Sequence, residues 1–243
     1  MKLLNLKRNY KKNGFVVVKQ LISKETLLEA KENLKDFSQR YKTKSKRKIN
    51  YTKDSKINSI HDMERWIWIK KFRQSSELKK IVRVLVGKKA KNFGSEFFGK
   101  PARVGLKSPI HQDNYYWCVN NNKGITVWIA FNRAEKKNGG IFYYKGSHKI
   151  GLLDHKPSYA PGSSQTVSNL NKLKRLKKIY PKLNSGDCLV HDVMVVHGSK
   201  PNKSKFSREG ITLRYIPKNS KIDKKKQKYY RKKLWEQVRS RTH

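Results

Sequence analysis

The chain has 243 residues, with 59 Lys+Arg against 17 Asp+Glu and a formal charge of +42. Its two cysteines, Cys118 and Cys188, belong to no Cys-x-x-Cys pair, which argues against a disulfide framework or a zinc knuckle and fits a reducing compartment. Apolar runs are short, as at 15–18, far below the roughly 18 residues of a membrane span. No apolar segment follows Met1-Lys2, so a cytoplasmic protein without a secretory signal is expected.

Taken in order, residues 10–22 read as an Asn13-Gly14 turn followed by a short apolar strand. Ser23 caps a helix over about 23–41, with Glu25 in its first turn and Leu27, Leu28, Ala30 and Leu34 near helical spacing. Residues 42–58 are polar and basic, hence a loop. His61-Asp62 follows; adjacent residues on a strand face opposite sides, so the pair reads as a local cap or surface contact rather than a chelate. A second amphipathic helix, 76–86, stops at Gly87.

From Asn92 to about residue 217 the texture changes to short strands separated by Gly, Pro and Asn. The strand candidates are 93–99, 109–117, 124–132, 140–145, 187–197 and 210–216, a pattern that points to a sandwich or jelly roll. A basic insertion at 156–184 is either a solvated loop or a lid. In the tail, 218–243, lysines and arginines flank Tyr229, Tyr230, Leu234 and Trp235. Docking of that aromatic face on the domain is favoured over a membrane or nucleic-acid surface. The positive charge is spread along the whole chain, whereas a nucleic-acid module more often concentrates it in a patch with interleaved aromatics. Nucleic acid or acidic surfaces are therefore conceivable partners but not the favoured ones; a small-molecule substrate is.

Chemistry concentrates in two stretches. In Pro109-Ile110-His111-Gln112-Asp113, residues i and i+2 of a strand share a face, so His111 and Asp113 aim at one point and Gln112 away from it. An imidazole and a carboxylate suit divalent iron if a second histidine joins them. The stretch Gly186-Asp187-Cys188-Leu189-Val190-His191-Asp192-Val193-Met194-Val195-Val196-His197 offers two, His191 and His197, on a strand apolar enough to be internal. Arg208 follows, and a guanidinium there can grip a small carboxylate in a bidentate fashion that lysine cannot match. Arg214 shares its strand parity and is a rival; Lys100 is a further cation near Pro101.

Several of these motifs occur together in one order: the Asn-Gly turn with Phe-Val-Val-Val, His111-Gln-Asp113, Thr126-Val-Trp128-Ile-Ala, Asn138-Gly139-Gly140, Gly146-Ser147-His148-Lys149, Gly186-Asp187, His197-Gly198-Ser199-x-Pro201-Asn202 and Arg208. The sequence resembles the phytanoyl-CoA dioxygenase family of iron(II)/2-oxoglutarate-dependent oxygenases over about residues 10–217. The resemblance implies a mainly β fold, a double-stranded β-helix (jelly roll, cupin-like) with N-terminal helices packed on one sheet. The expected division is a single oxygenase domain at 1–217, with a helical part at 1–91 and a jelly-roll core at 92–217, and a basic helix or tail at 218–243.

It also implies that His111, Asp113 and His197 ligate iron, that Arg208 binds the distal carboxylate of 2-oxoglutarate beside Ser199, and that Trp128 lines the cosubstrate pocket. His191 becomes a structural neighbour in the barrel, and His148 and His155 shape the rim. Lys145 stands where the family commonly has proline, which removes no ligand. Iron(II), 2-oxoglutarate and dioxygen would be the cofactor, cosubstrate and oxidant. Halogenating relatives carry a small residue at the position of Asp113, so its carboxylate favours hydroxylation of a C–H bond in a small, conceivably anionic, substrate. Two other readings are a nucleic-acid-binding protein on the same scaffold, which predicts salt-dependent binding, and a non-catalytic cupin-like binding protein, which predicts no 2-oxoglutarate requirement.

Overall fold

The computed structural model describes residues 3–44, 49–160 and 163–239. Residues 45–48 of the basic loop, 161–162 of the insertion and 240–243 of the tail lie outside the described residues. The elements are α1 (Leu3–Asn13), β1 (Phe15–Val18), α2 (Lys24–Lys44), β2 (Ile49–Tyr51), β3 (Ile57–Ile60), α3 (Ile67–Phe72), α4 (Ser76–Leu85), β4 (Ala90–Lys100), β5 (Ser108–His111), α5 (Asp113–Trp117), β6 (Ile125–Ala130), β7 (Ile141–Tyr144), β8 (His155–Ala160), β9 (Ser163–Val167), β10 (Lys178–Ile179), β11 (Cys188–Asp192), β12 (His197–Ser199), β13 (Arg208–Pro217) and α6 (Lys224–Arg239).

A seven-stranded sheet in the order β1-β11-β6-β13-β4-β3-β2 stands against a four-stranded sheet, β10-β7-β12-β5, and β8–β9 form a separate hairpin. This is the expected jelly roll. Strand periodicity sorts the core. On the large sheet Val127, Ile129, Val190, Ile211 and Leu213 face outward, onto a layer built from α1 to α4 that includes Leu6, Ala30, Trp68 and Leu78. Their neighbours Trp128, Ala130 and Leu189 face the other way and meet Tyr143 and Val195 of the opposing side. Every residue of β6 is buried, because the strand is covered on both faces.

The helices follow their local signals. The Ser23 hydroxyl accepts the Thr26 amide at 3.2 Å and opens α2. Leu27 and Ala30 of α2 are buried, but Leu28, counted with them from spacing, is half exposed. Leu78, Ile81 and Val82 give α4 its buried stripe, and Gly87 at φ 123° lies just beyond its end.

Several expectations fail at identifiable points. The Asn13-Gly14 turn is the end of a helix that the sparse apolar pattern of residues 3–13 did not reveal: the Gly14 amide bonds the Tyr10 carbonyl at 2.8 Å, with φ at 82°. The basic loop at 42–58 contains β2 and the start of β3, strands whose register is Ile49↔Ile60. The insertion at 156–184 holds β8, β9 and β10. The single strand expected at 187–197 is two strands in different sheets. Asp192 breaks it, its carboxylate accepting the Met194 amide at 2.8 Å in an Asx turn while Tyr10 donates to its other oxygen at 2.7 Å. No glycine or proline marks that break. Among the described residues no helix is long and apolar enough to cross a membrane.

Gly210 fixes the spacing between β13 and the ring of Trp128. A Cβ there would lie 2.5 Å from the Ile129 carbonyl oxygen and closer still to the ring. Gly210→Ala is expected to lower stability by about 1–3 kcal/mol through overpacking, read as a lower urea midpoint with unchanged m-value.

Candidate metal centre and cosubstrate pocket

Pairing of β12 with β5 sets His197 directly opposite His111, with ring centroids 4.3 Å apart. The third group arrives differently from expectation. β5 ends at His111, Gln112 is extended, and the chain turns into α5 with Asp113 as its first residue. A strand over 109–117 is thus replaced by a strand end and a helical turn, which brings the Asp113 carboxylate back to the side of His111. Gln112 does point away. Its amide donates to the carbonyls of Gly151 at 2.9 Å and Met194 at 2.7 Å and accepts the Leu153 amide at 2.7 Å.

Hydrogen bonding fixes the state of each donor. His111 Nδ1–H donates to the Pro109 carbonyl at 2.7 Å, and His197 Nδ1–H to the Val195 carbonyl at 3.0 Å. A carbonyl can only accept, so in the neutral ring the lone pair lies on Nε2. Both Nε2 atoms lie 3.6 Å from Asp113 Oδ1. The other carboxylate oxygen, Oδ2, accepts the Thr126 hydroxyl at 2.5 Å and faces His191 Nε2 at 3.2 Å, while Tyr143 bonds His191 Nδ1 at 2.9 Å. Burial alone would raise the Asp113 pKa, but the histidines around it, His111, His191 and His197, hold it well below the usual range. Burial, with His111 and His191 nearby, pushes His197 well down and keeps it neutral.

The three donor atoms lie within 4.8 Å of one another, a grouping that could hold a metal ion. Two donors at right angles on an ion about 2.1 Å away would be roughly 3.0 Å apart, so a small contraction closes the set. Two imidazoles and one carboxylate fit iron(II) and leave one side open. Thr126, His191 and Tyr143, which orient Asp113, were not assigned this part from sequence; His191 was placed only as a barrel neighbour.

A second cluster sits along the inner face of β13, whose residues alternate Arg208, Gly210, Thr212, Arg214. Arg208 lies opposite Lys100 of β4 and is 3% exposed. Its guanidinium packs over the Trp128 ring at 5.1 Å, and its Nε has no partner, nor do the buried Trp128 Nε1 and Ser199 Oγ. Lys100 donates to the Leu106 carbonyl. Burial lowers Arg208 to about 10, and burial with Arg208 alongside lowers Lys100 well below its usual value. No carboxylate among the described residues pairs with Arg208. Its rival Arg214 is ion-paired with Glu96 and covers the Trp117 ring at 5.5 Å.

One cavity of about 510 Å³ runs past all of these groups, from Lys100 and Arg208 by the trio to Glu96 and Arg214, with Tyr116 and Tyr230 in its lining. His155 supports the site from the side: its Nε2 accepts the Gln112 amide at 3.2 Å and its ring stacks on Tyr115 at 4.2 Å. His148 bonds the Lys11 carbonyl at 3.1 Å, away from the trio. His61, read as a cap or surface contact, instead lines the cavity, bonded to Glu96 at 2.6 Å. Nothing in the local sequence signals this, since β3 and β4 bring the two together across 35 positions.

Comparison with known proteins places the chain in a family. The bovine peroxisomal phytanoyl-CoA dioxygenase is 22% identical over 232 residues, covering 89% of this chain and 69% of the relative. A protein of Stutzerimonas stutzeri, named probable alpha-ketoglutarate-dependent hypophosphite dioxygenase, is 26% identical over 145 residues, 58% of this chain and 50% of the relative. Among solved structures, EctD from S. alaskensis with 2-oxoglutarate and 5-hydroxyectoine superposes with a TM-score of 0.76 at 18% identity, covering 90% of this chain and 77% of that one. The epimerase SnoN, in complex with Fe3+, alpha ketoglutarate and nogalamycin RO, gives 0.75 at 15% identity, covering 90% and 85%. The family model for Phytanoyl-CoA dioxygenase (PhyH) matches residues 10–210. The chain therefore belongs to the phytanoyl-CoA dioxygenase (PhyH) family and is an iron- and 2-oxoglutarate-dependent dioxygenase.

Proposed function

We propose that His111, Asp113 and His197 hold the iron(II), and that Arg208, with Ser199 and Trp128, receives the distal carboxylate of 2-oxoglutarate. The observation that carries this reading is the pair of clusters in one cavity. One offers two free Nε2 lone pairs beside a carboxylate oxygen; the other offers a buried cation whose neighbouring donors, Arg208 Nε, Ser199 Oγ and Trp128 Nε1, have no partner. Such groups are costly to bury unless something bonds them. Arg214 is a poorer candidate for the carboxylate because Glu96 already neutralises it.

With iron(II) bound, oxidation of 2-oxoglutarate by dioxygen to succinate and carbon dioxide supplies the oxidising power for attack on a substrate C–H bond. The residues of this chain place and shield that chemistry. Thr126 and His191 hold Asp113 Oδ2 so that Oδ1 faces the two histidines. The carbonyls of Pro109 and Val195 fix both imidazole tautomers. Tyr116 and Tyr230, lining the cavity, help exclude water. The carboxylate at Asp113 occupies the place a halide would need, which favours hydroxylation. The relatives are named for substrates as different as phytanoyl-CoA and hypophosphite, so the substrate of this chain must be read from its own cavity. Two buried, unbridged cysteines fit a reducing compartment such as the cytoplasm.

Anaerobic addition of iron(II) and 2-oxoglutarate to the wild type is expected to produce a visible metal-to-cosubstrate charge-transfer band. Asp113→Ala and His197→Ala should each abolish it while far-UV circular dichroism is unchanged; a wild type without the band would sink the oxygenase site. Calorimetric titration separates the two arginines. Arg208→Ala should weaken 2-oxoglutarate binding about 10- to 100-fold, the loss of a charge-assisted hydrogen bond, whereas Arg214→Gln should change it by less than about threefold. Equal losses would remove Arg208 from its role.

A further inference from the structure

We infer that the substrate is an uncharged, hydroxyl-rich small molecule of the pyranose kind, recognised by the wall that Asn50, Asn58, His61, Glu96 and Arg214 form on the β2, β3, β4 and β13 side of the cavity. The inference rests on the proposed iron and 2-oxoglutarate site, because that assignment leaves this side of the cavity to the substrate. Arg208 and Arg214 are six positions apart on β13, roughly 20 Å along the strand. Thr126, opposite Arg214 and bonded to Asp113, places the metal trio nearer the Arg214 end.

The chemistry of that wall is planar, polar and electrically balanced. Glu96 accepts His61 Nδ1–H at 2.6 Å through one oxygen and pairs with Arg214 through the other. Asn50 donates to His61 Nε2 at 3.0 Å and to Ser59 Oγ at 2.9 Å, and among the described residues nothing bonds its carbonyl oxygen. Asn58 lines the cavity, and its carboxamide makes no side-chain bond to the described residues. Burial, helped by Arg214, pushes His61 down to about 4, so it is neutral at pH 7. In a chain of formal charge +42 this wall thus carries one negative and one positive group that cancel.

The same cavity is lined by two aromatic rings whose hydroxyls are already engaged. Tyr116 donates to the Gln165 carbonyl at 3.0 Å, and Tyr230 is bonded to Ser164 at 3.3 Å. The rings meet edge to face with centroids 5.5 Å apart. Carboxamides, a carboxylate, a guanidinium and a neutral imidazole in one cavity with aromatic rings match a molecule that carries hydroxyls and C–H faces together. Competing chemistries fit worse. An acyl chain would displace water and leave the Asn58 carboxamide and the Asn50 carbonyl oxygen unpaired, at about 1–3 kcal/mol each. A phosphate would meet the Glu96 carboxylate, and the Arg214 guanidinium beside it is already neutralised. A site built to bond hydroxyls rejects analogues that lack them.

The test is saturation-transfer NMR on the full chain loaded with zinc(II) and 2-oxoglutarate, using a panel of methyl hexopyranosides with octanoyl-CoA as comparator. At least one glycoside is expected to receive saturation, and Asn58→Leu should weaken its binding at least about tenfold while calorimetry finds 2-oxoglutarate affinity intact. Octanoyl-CoA should not displace it. The inference is overturned if no glycoside binds, if binding survives Asn58→Leu undiminished, or if the acyl thioester binds and displaces the glycoside. The charge-transfer titration is independent of this result. A band without glycoside binding defeats the substrate class alone, and glycoside binding without a band defeats the iron and cosubstrate site alone.

Discussion

The buried carboxylate of Asp113 is the constraint around which the interior is arranged. A carboxylate taken out of water needs both oxygens satisfied, and here the two face different sheets, Oδ1 toward the open donor set that could hold a metal ion. Oδ2 is held by Thr126 of β6 and faces His191 of β11, both from the large sheet. Oδ1 faces His111 of β5 and His197 of β12, from the small one. Tyr143 of β7 closes the circuit from the small sheet to His191 and stacks on Phe15 of β1 at 4.3 Å. The spacing of the sandwich at this point is therefore set by a polar chain as much as by apolar packing.

A second electrostatic feature lies deeper. Like charges directly opposite on neighbouring strands repel, yet Arg208 and Lys100 are cross-strand partners and both are buried. The Trp128 ring and the Leu106 carbonyl satisfy them only in part. At the other end of the same two strands, Arg214 has the carboxylate that Arg208 lacks. The strands thus carry a gradient from uncompensated positive charge to neutrality, which orients any molecule with one anionic end.

Much of this was legible in the sequence where local chemistry decides structure. The strand texture at β6 and β13 was plain, and the ordered motifs singled out His111, Asp113, His197 and Arg208. The failures share a cause, namely tertiary context overriding a local pattern. The break at Asp192 hides in an apolar run because a side-chain hydrogen bond, not a glycine, makes the turn. β2 is masked by lysines, since its partner β3 lies across a polar turn. α1 shows only two buried positions, Leu6 and Tyr10, among its basic residues. Asp113 reached the right place by a helical turn instead of strand parity. His61 and Glu96 could not be joined in advance, because nothing in either neighbourhood names the other.

The helix α6 has a consequence for how such a scaffold diversifies. It begins after the span that matches the family, 10–210, and it pairs with no strand. Yet Tyr230 and Leu234 form part of the chamber lining, and Tyr230 meets the rings of Tyr115 and Tyr116 edge-on. A wall made by an appended segment can be reshaped, residue by residue or by wholesale exchange, without disturbing strand register or moving His111, Asp113 or His197. Selectivity and catalysis then occupy separable stretches of the polypeptide and are free to change at different rates.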